Sequence, residues 1–109
     1  MLEAQIYKAL GDPVRLLIVT RLASGEPYTI GELSKNLGVS RQGARKQLQV
    51  LVSANLVHLA QKGRETEVIL DTDKLATARQ FIAKLEQQWD QRLHALKDFV
   101  ENKSTDPSP

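Results

Sequence analysis

Arg41, Gln42, Arg45, Lys46 and Gln49 are spaced i, i+1, i+4, i+5 and i+8, which puts five polar side chains along one side of a helix. Ala44, Leu48 and Leu51 mark the opposite, inward side. The chemistry these residue types offer is recognition of double-stranded DNA. Arginine can bridge guanine O6 and N7, glutamine can pair with adenine N6 and N7, and lysine neutralises phosphate. Ser40, just ahead of the first arginine, suits the cap of this helix and adds a donor for phosphate. The helix N-terminus supplies free N–H groups and the positive end of a dipole. Gly43 is expected to remove bulk where helix and groove come closest. Lys62 and Arg64 are expected at phosphate or in the minor groove, and Ser34 at phosphate.

A polar helix face is by itself an ordinary solvated surface. The setting gives this one its meaning. Thr29-Ile30-Gly31-Glu32 has the pattern of a capping box, and the short helix it opens is expected to bury Ile30, Leu33 and Leu37. Leu37-Gly38-Val39-Ser40 reads as a tight turn with Gly38 at positive φ. The basic helix then runs from about Arg41 to Ala54, with Asn55 as its left-handed stop. Leu56–Ala60 and Glu67–Leu70 read as two strands joined by the polar turn Gln61–Glu65, a hairpin with a basic tip. Helix, tight turn, helix and hairpin make a winged helix-turn-helix, in which the second helix enters the major groove.

Two further helices precede this unit. Leu2, Ile6, Ala9 and Leu10 share one face; Asp12 and Pro13 then open a second helix that ends at Ser24-Gly25. Glu26-Pro27-Tyr28 reads as a short extended connection. A last helix, capped by Asp71-Thr72-Asp73, is expected from about Lys74 to Glu101. The fold class is therefore mainly α with a small β-hairpin. One domain is expected over residues 1–101, followed by a polar tail over 102–109 that carries two prolines.

The last helix carries Leu75, Ala78, Ile82, Leu85, Trp89, Leu93, Leu96 and Val100 in one stripe. About 28 residues at 1.5 Å each make about 42 Å, more than a compact domain of this size can cover. Burial of Leu85, Trp89, Leu93, Leu96 and Val100 against a second copy, with Leu2 and Ile6, is the expectation. A homodimer also answers a functional need. One short helix reads few bases, whereas two helices related by a two-fold axis read half-sites about 34 Å apart.

Composition sets the outer limits. The 109 residues carry a net charge of +2, too small to announce a nucleic-acid partner. Residues 29–70, however, hold six bases against three acids, while residues 1–28 are balanced and 71–109 lean acidic. There is no cysteine, which excludes disulfide scaffolds, zinc ribbons and thiol chemistry. No histidine clusters with acids in a loop and no glycine-rich phosphate loop is present, so no catalytic residue, metal or cofactor is expected. The opening Met1-Leu2-Glu3-Ala4 has no basic stretch leading into an apolar one, and the longest aliphatic run is Leu16–Val19. A cytoplasmic protein with no membrane partner is expected.

Ala9-Leu10-Gly11-Asp12-Pro13-Val14-Arg15-Leu16, Ile30-Gly31-Glu32-Leu33-Ser34, Leu37-Gly38-Val39-Ser40, Leu48-Gln49-Val50-Leu51 and Asn55-Leu56-Val57 together resemble the ArsR-type winged-helix transcriptional regulators. The resemblance covers about residues 4–100. It implies a homodimeric repressor on a near-palindromic operator, with a dimer built from the first and last helices. Members that sense metals through a cysteine pair carry it where this chain has Glu32-Leu33-Ser34-Lys35-Asn36, which offers no such ligand. Others bind zinc through Asp and His on the last helix. Asp90, His94 and Asp98 share a face here, but with one histidine they read as a surface His beside acidic partners. The segment Trp89–Leu96 resembles the metal-free subgroup. Gln47 stands where the family often has His, and Arg45 where small polar residues are common, so the operator cannot be copied from relatives. Two alternatives share the fold: a metal- or small-molecule-responsive sensor, and a protein-interaction module that does not bind DNA.

Overall fold

The computed structural model describes residues 2–105, with side chains over 2–102. The elements are α1 (Leu2–Leu10), α2 (Pro13–Leu22), β1 (Tyr28–Thr29), α3 (Ile30–Leu33), α4 (Arg41–Ser53), β2 (Val57–Lys62), β3 (Glu65–Leu70) and α5 (Thr72–Thr105). They fall into two compact units, one ending at Ala78 and one beginning at Arg79, and α5 supplies residues to both.

In the first unit most helices start at a side chain that satisfies N–H groups left unpaired by the helical ladder. Asp12 Oδ1 accepts from the backbone N of Val14 at 2.8 Å and of Arg15 at 3.1 Å, with Pro13 in the first helical position. Thr29 and Glu32 form the reciprocal capping box of α3. Asp71 Oδ1 accepts from the backbone N of Asp73 at 3.0 Å and of Lys74 at 3.2 Å at the start of α5. Gly38 (φ 76°) and Asn55 (φ 61°) take the left-handed conformation at the turns where the sequence calls for it.

The core of this unit is aliphatic. Ile6, Ile18, Leu33, Leu51, Leu56 and Val57 are sealed from solvent, and Ala44 and Leu48 join Leu51 on the inward side of α4. The hydroxyl of Tyr7 donates to the carbonyl of Ala78 at 2.5 Å, which ties α1 to the first turns of α5.

The structure departs from expectation at several places, and the helix expected to carry Leu37 already ends at Leu33 while both wing strands run into the expected turn Gln61–Glu65. Tyr28 and Thr29 pair antiparallel with Val68 and Glu67, so the wing hairpin β2–β3 belongs to a three-stranded sheet of order β1-β3-β2. Two residues hold too little alternation to show as a strand in a sequence. Ile6, expected beside Leu2 at a dimer interface, is 0% exposed within the first unit, whereas Leu2 is 42% exposed. The periodicity that placed them on one face does not say how far the core reaches along that face. Finally, α5 continues past Glu101 to Thr105; the rest of the expected tail, 106–109, lies outside the described residues.

In the second unit, Leu85, Trp89, Leu93, Leu96 and Val100 are all exposed, Trp89 at 60%. Ile82 and Phe99 are exposed as well.

Candidate nucleic-acid interface

Arg41, Gln42, Arg45, Lys46 and Gln49 are all exposed on α4, opposite buried Ala44, Leu48 and Leu51. The ion pairs among the described residues are His58–Asp71, Lys62–Glu67 and Lys97–Glu101. Arg41, Arg45, Lys46 and Arg64 therefore carry charge that no carboxylate of this kind offsets. Lys62 differs: its Nζ lies 3.1 Å from Oε2 of Glu67. Lys62 is exposed and Glu67 half-buried, and a pair with one partner in water is worth about 1 kcal/mol, so a phosphate can compete for the ammonium.

The helix and the wing face each other across a cleft of about 540 Å³. Arg45 and Gln49 line it from α4, and Arg64 and Thr66 line it from the wing. Arg41, Gln42 and Lys46 do not line it. Two guanidinium groups and the one carboxylate of Glu65 thus border one space, whose balance is positive and attracts an anion through the summed field.

The cap of α4 shows how its first turn is built. Ser40 Oγ accepts from the backbone N of Gly43 at 3.0 Å, which leaves the hydroxyl proton for an outside acceptor. A side chain at Gly43 would bring its Cβ to 3.2 Å from Ser40 Oγ and 3.6 Å from Val39 Cβ. The absence of a side chain at Gly43 thus gives the cap its room, beside the clearance expected at a groove. Ser34 is placed differently from expectation. It is half-buried, and its hydroxyl donates to the carbonyl of Ile30 at 2.8 Å, so its one proton is already engaged.

Two arginines of α2, missed as site residues from sequence, hold this reading unit in shape. Arg21 Nη1 donates to the carbonyls of Lys35 at 2.5 Å and Leu33 at 3.3 Å, and Nη2 donates to that of Asn36 at 2.7 Å. It thereby closes the turn after α3, where Asn36 has a φ of 60°. Arg15 Nη1 donates to Oε1 of Gln47 on α4 at 2.6 Å. The Asp12-Pro13-x-Arg15 motif hinted at Arg15, but its partner lies far along the chain and has no local signature.

A family model described as a helix-turn-helix domain matches residues 10–60. The chain is 34% identical over 100 residues to the HTH-type transcriptional regulator Rv2034 of Mycobacterium tuberculosis, covering 92% of this chain and 90% of that protein. It superposes with a TM-score of 0.78 on an ArsR-like transcriptional regulator from Rhodococcus sp. RHA1, 30% identical, covering 90% of this chain and 92% of that one. The chain belongs to the ArsR-type winged helix-turn-helix transcriptional regulators. The transcriptional repressor BigR from Xylella fastidiosa is a more distant likeness, 27% identical with a TM-score of 0.58, covering 77% of this chain and 82% of that one.

As an ArsR-type regulator the chain is a member of a DNA-binding family, and among its described residues no helix is long and apolar enough to cross a membrane. The two histidines of this ArsR-type chain are both engaged. His94 Nδ1 lies 2.8 Å from the carbonyl oxygen of Asp90, a contact within one turn of α5. His58 Nε2 lies 2.7 Å from Oδ2 of Asp71. This bond, the largest influence, and the two backbone N–H groups that Asp71 accepts hold its carboxyl below the ordinary value of 3.8 against the opposing effect of burial. Asp71 thus serves the wing and the cap of α5 together.

Proposed function

We propose that this protein is a homodimeric, non-catalytic repressor that binds a near-palindromic operator in the cytoplasm. Arg41, Gln42, Arg45, Lys46 and Gln49 read or grip the major groove from α4. Ser40, Lys62 and Arg64 hold phosphates or enter the minor groove. The observation that carries this reading is the set of exposed cations Arg41, Arg45 and Lys46 on α4, none in an ion pair among the described residues, with Arg45 lining the same cleft as Arg64 of the wing. The exposed stripe Leu85, Trp89, Leu93, Leu96 and Val100 supports a dimer, because water is a poor partner for so much aliphatic surface on one helix. The likeness to the transcriptional repressor BigR supports the sign of regulation.

Selection of bound duplexes from a random pool, followed by sequencing, tests the reading. The expected product is a near-palindrome with half-sites about one helical turn apart. Affinity should fall steeply with salt, since charge neutralisation dominates. A pool that yields no enriched sequence, together with salt-insensitive binding to an acidic protein, would favour the interaction module instead.

A further inference from the structure

Arg15 makes a set of bonds that joins three helices. Its Nε donates to the carbonyl of Ala9 at 2.6 Å and its Nη2 to that of Lys8 at 3.4 Å, both at the C-terminal end of α1, where the last carbonyls have no intrahelical partner and Lys8 also accepts from the backbone N of Gly11. Its Nη1 donates to Oε1 of Gln47 at 2.6 Å. Gln47 is half-buried and lies within the same turns of α4 as Arg45, Lys46 and Gln49.

On the reading of α4 as the DNA-contacting helix, we propose that Arg15 and Gln47 are positioning residues for operator selectivity, fixing the rotation of α4 about its own axis. The inward side of α4 is Ala44, Leu48 and Leu51. Contacts among such side chains are non-directional, so they hold the helix on the core better than they fix its rotation. A charge-assisted hydrogen bond is directional and supplies what they lack. The leverage is large. A guanidinium about 9 Å from a helix axis moves by about 1.5 Å when the helix turns by about 10°. Base-edge hydrogen bonds tolerate only about 2.7–3.2 Å, so such a turn loses them while phosphate attraction survives.

Gln47→Leu keeps the bulk and removes the acceptor, whereas Gln47→Glu keeps an acceptor. Arg15→Lys keeps the charge but cannot span both α1 and Gln47. The quantity to measure is the ratio of affinities for the selected duplex and a scrambled one at fixed salt, beside the thermal midpoint. Gln47→Leu should lower the ratio about tenfold with little change in scrambled-duplex affinity, and Gln47→Glu should hold it within about threefold. Arg15→Lys should lower it too, and decides the matter if Gln47→Leu does not fold. A wild-type ratio in both Gln47→Leu and Arg15→Lys overturns the proposal even if their midpoints drop, since a purely structural bond would behave that way. If the wild-type chain selects no duplex, the DNA reading has failed, and amide NMR spectra of the free protein decide the positioning. Shifts at Arg45, Lys46 and Gln49 in Gln47→Leu support it, and unmoved amides there overturn it.

Discussion

Nε2 of His58 and Oδ2 of Asp71 stand 2.7 Å apart, so the first wing strand and the start of the long helix share one carboxylate. The same side chain caps α5, through Oδ1, at the backbone N of Asp73 and Lys74. The wing and the first turn of α5 are therefore fixed to each other where the sheet ends.

A pH dependence follows. The folded-state pKa of Asp71 is lowered, so its contribution to stability is complete above the ordinary value of 3.8 and is lost as pH falls toward the folded-state value. Asp71→Asn keeps an acceptor for the cap and removes the charge. In urea unfolding, the wild type should have the higher midpoint at neutral pH, and the gap should close in acid. A gap that stays constant down to about pH 2 would place its origin elsewhere.

Removing the guanidinium of Arg21 should open the turn between α3 and α4. Arg21→Met frees the carbonyls of Leu33, Lys35 and Asn36 and should cost about 1–3 kcal/mol in chemical denaturation. A loss below about 0.5 kcal/mol would mean that water replaces the side chain at little cost.

The basic residues should separate into two classes in DNA titrations. Arg45→Ala should cost about 1–3 kcal/mol and relax preference at one operator position. Arg64→Ala and Lys62→Ala should weaken all duplexes alike, each reducing the salt slope by about 1. The effect of Lys62→Ala should be the smaller, because Glu67 already holds part of that charge. Unchanged operator preference in Arg45→Ala would remove Arg45 from base reading.

Placing a charge in the exposed stripe of α5 tests the dimer. Leu93→Glu should shift sedimentation toward a single protomer and weaken operator binding, since one α4 helix then reads one half-site. A wild-type chain that sediments as a monomer at micromolar concentration would contradict the homodimer directly.

Much of this protein is written locally. The Thr29–Glu32 capping box, the Asp12-Pro13 start, Gly38 and Asn55 act within a few residues of themselves, so their types and spacing determine helix ends without help from the rest of the chain. The exposed stripe of α4 follows from the same 3.6-residue period, once Ala44, Leu48 and Leu51 are taken as its inner side. What only the tertiary structure decided is which polar groups meet across the chain. The pairing of Tyr28 and Thr29 with β3, the sealing of Ile6, the engagement of Ser34, the bond of Lys62 to Glu67 and the bridge from Arg15 to Gln47 are of this kind. The reason is physical. Periodicity records how a segment divides between core and solvent, but a hydrogen bond depends on the position of a second atom, and packing alone sets that position.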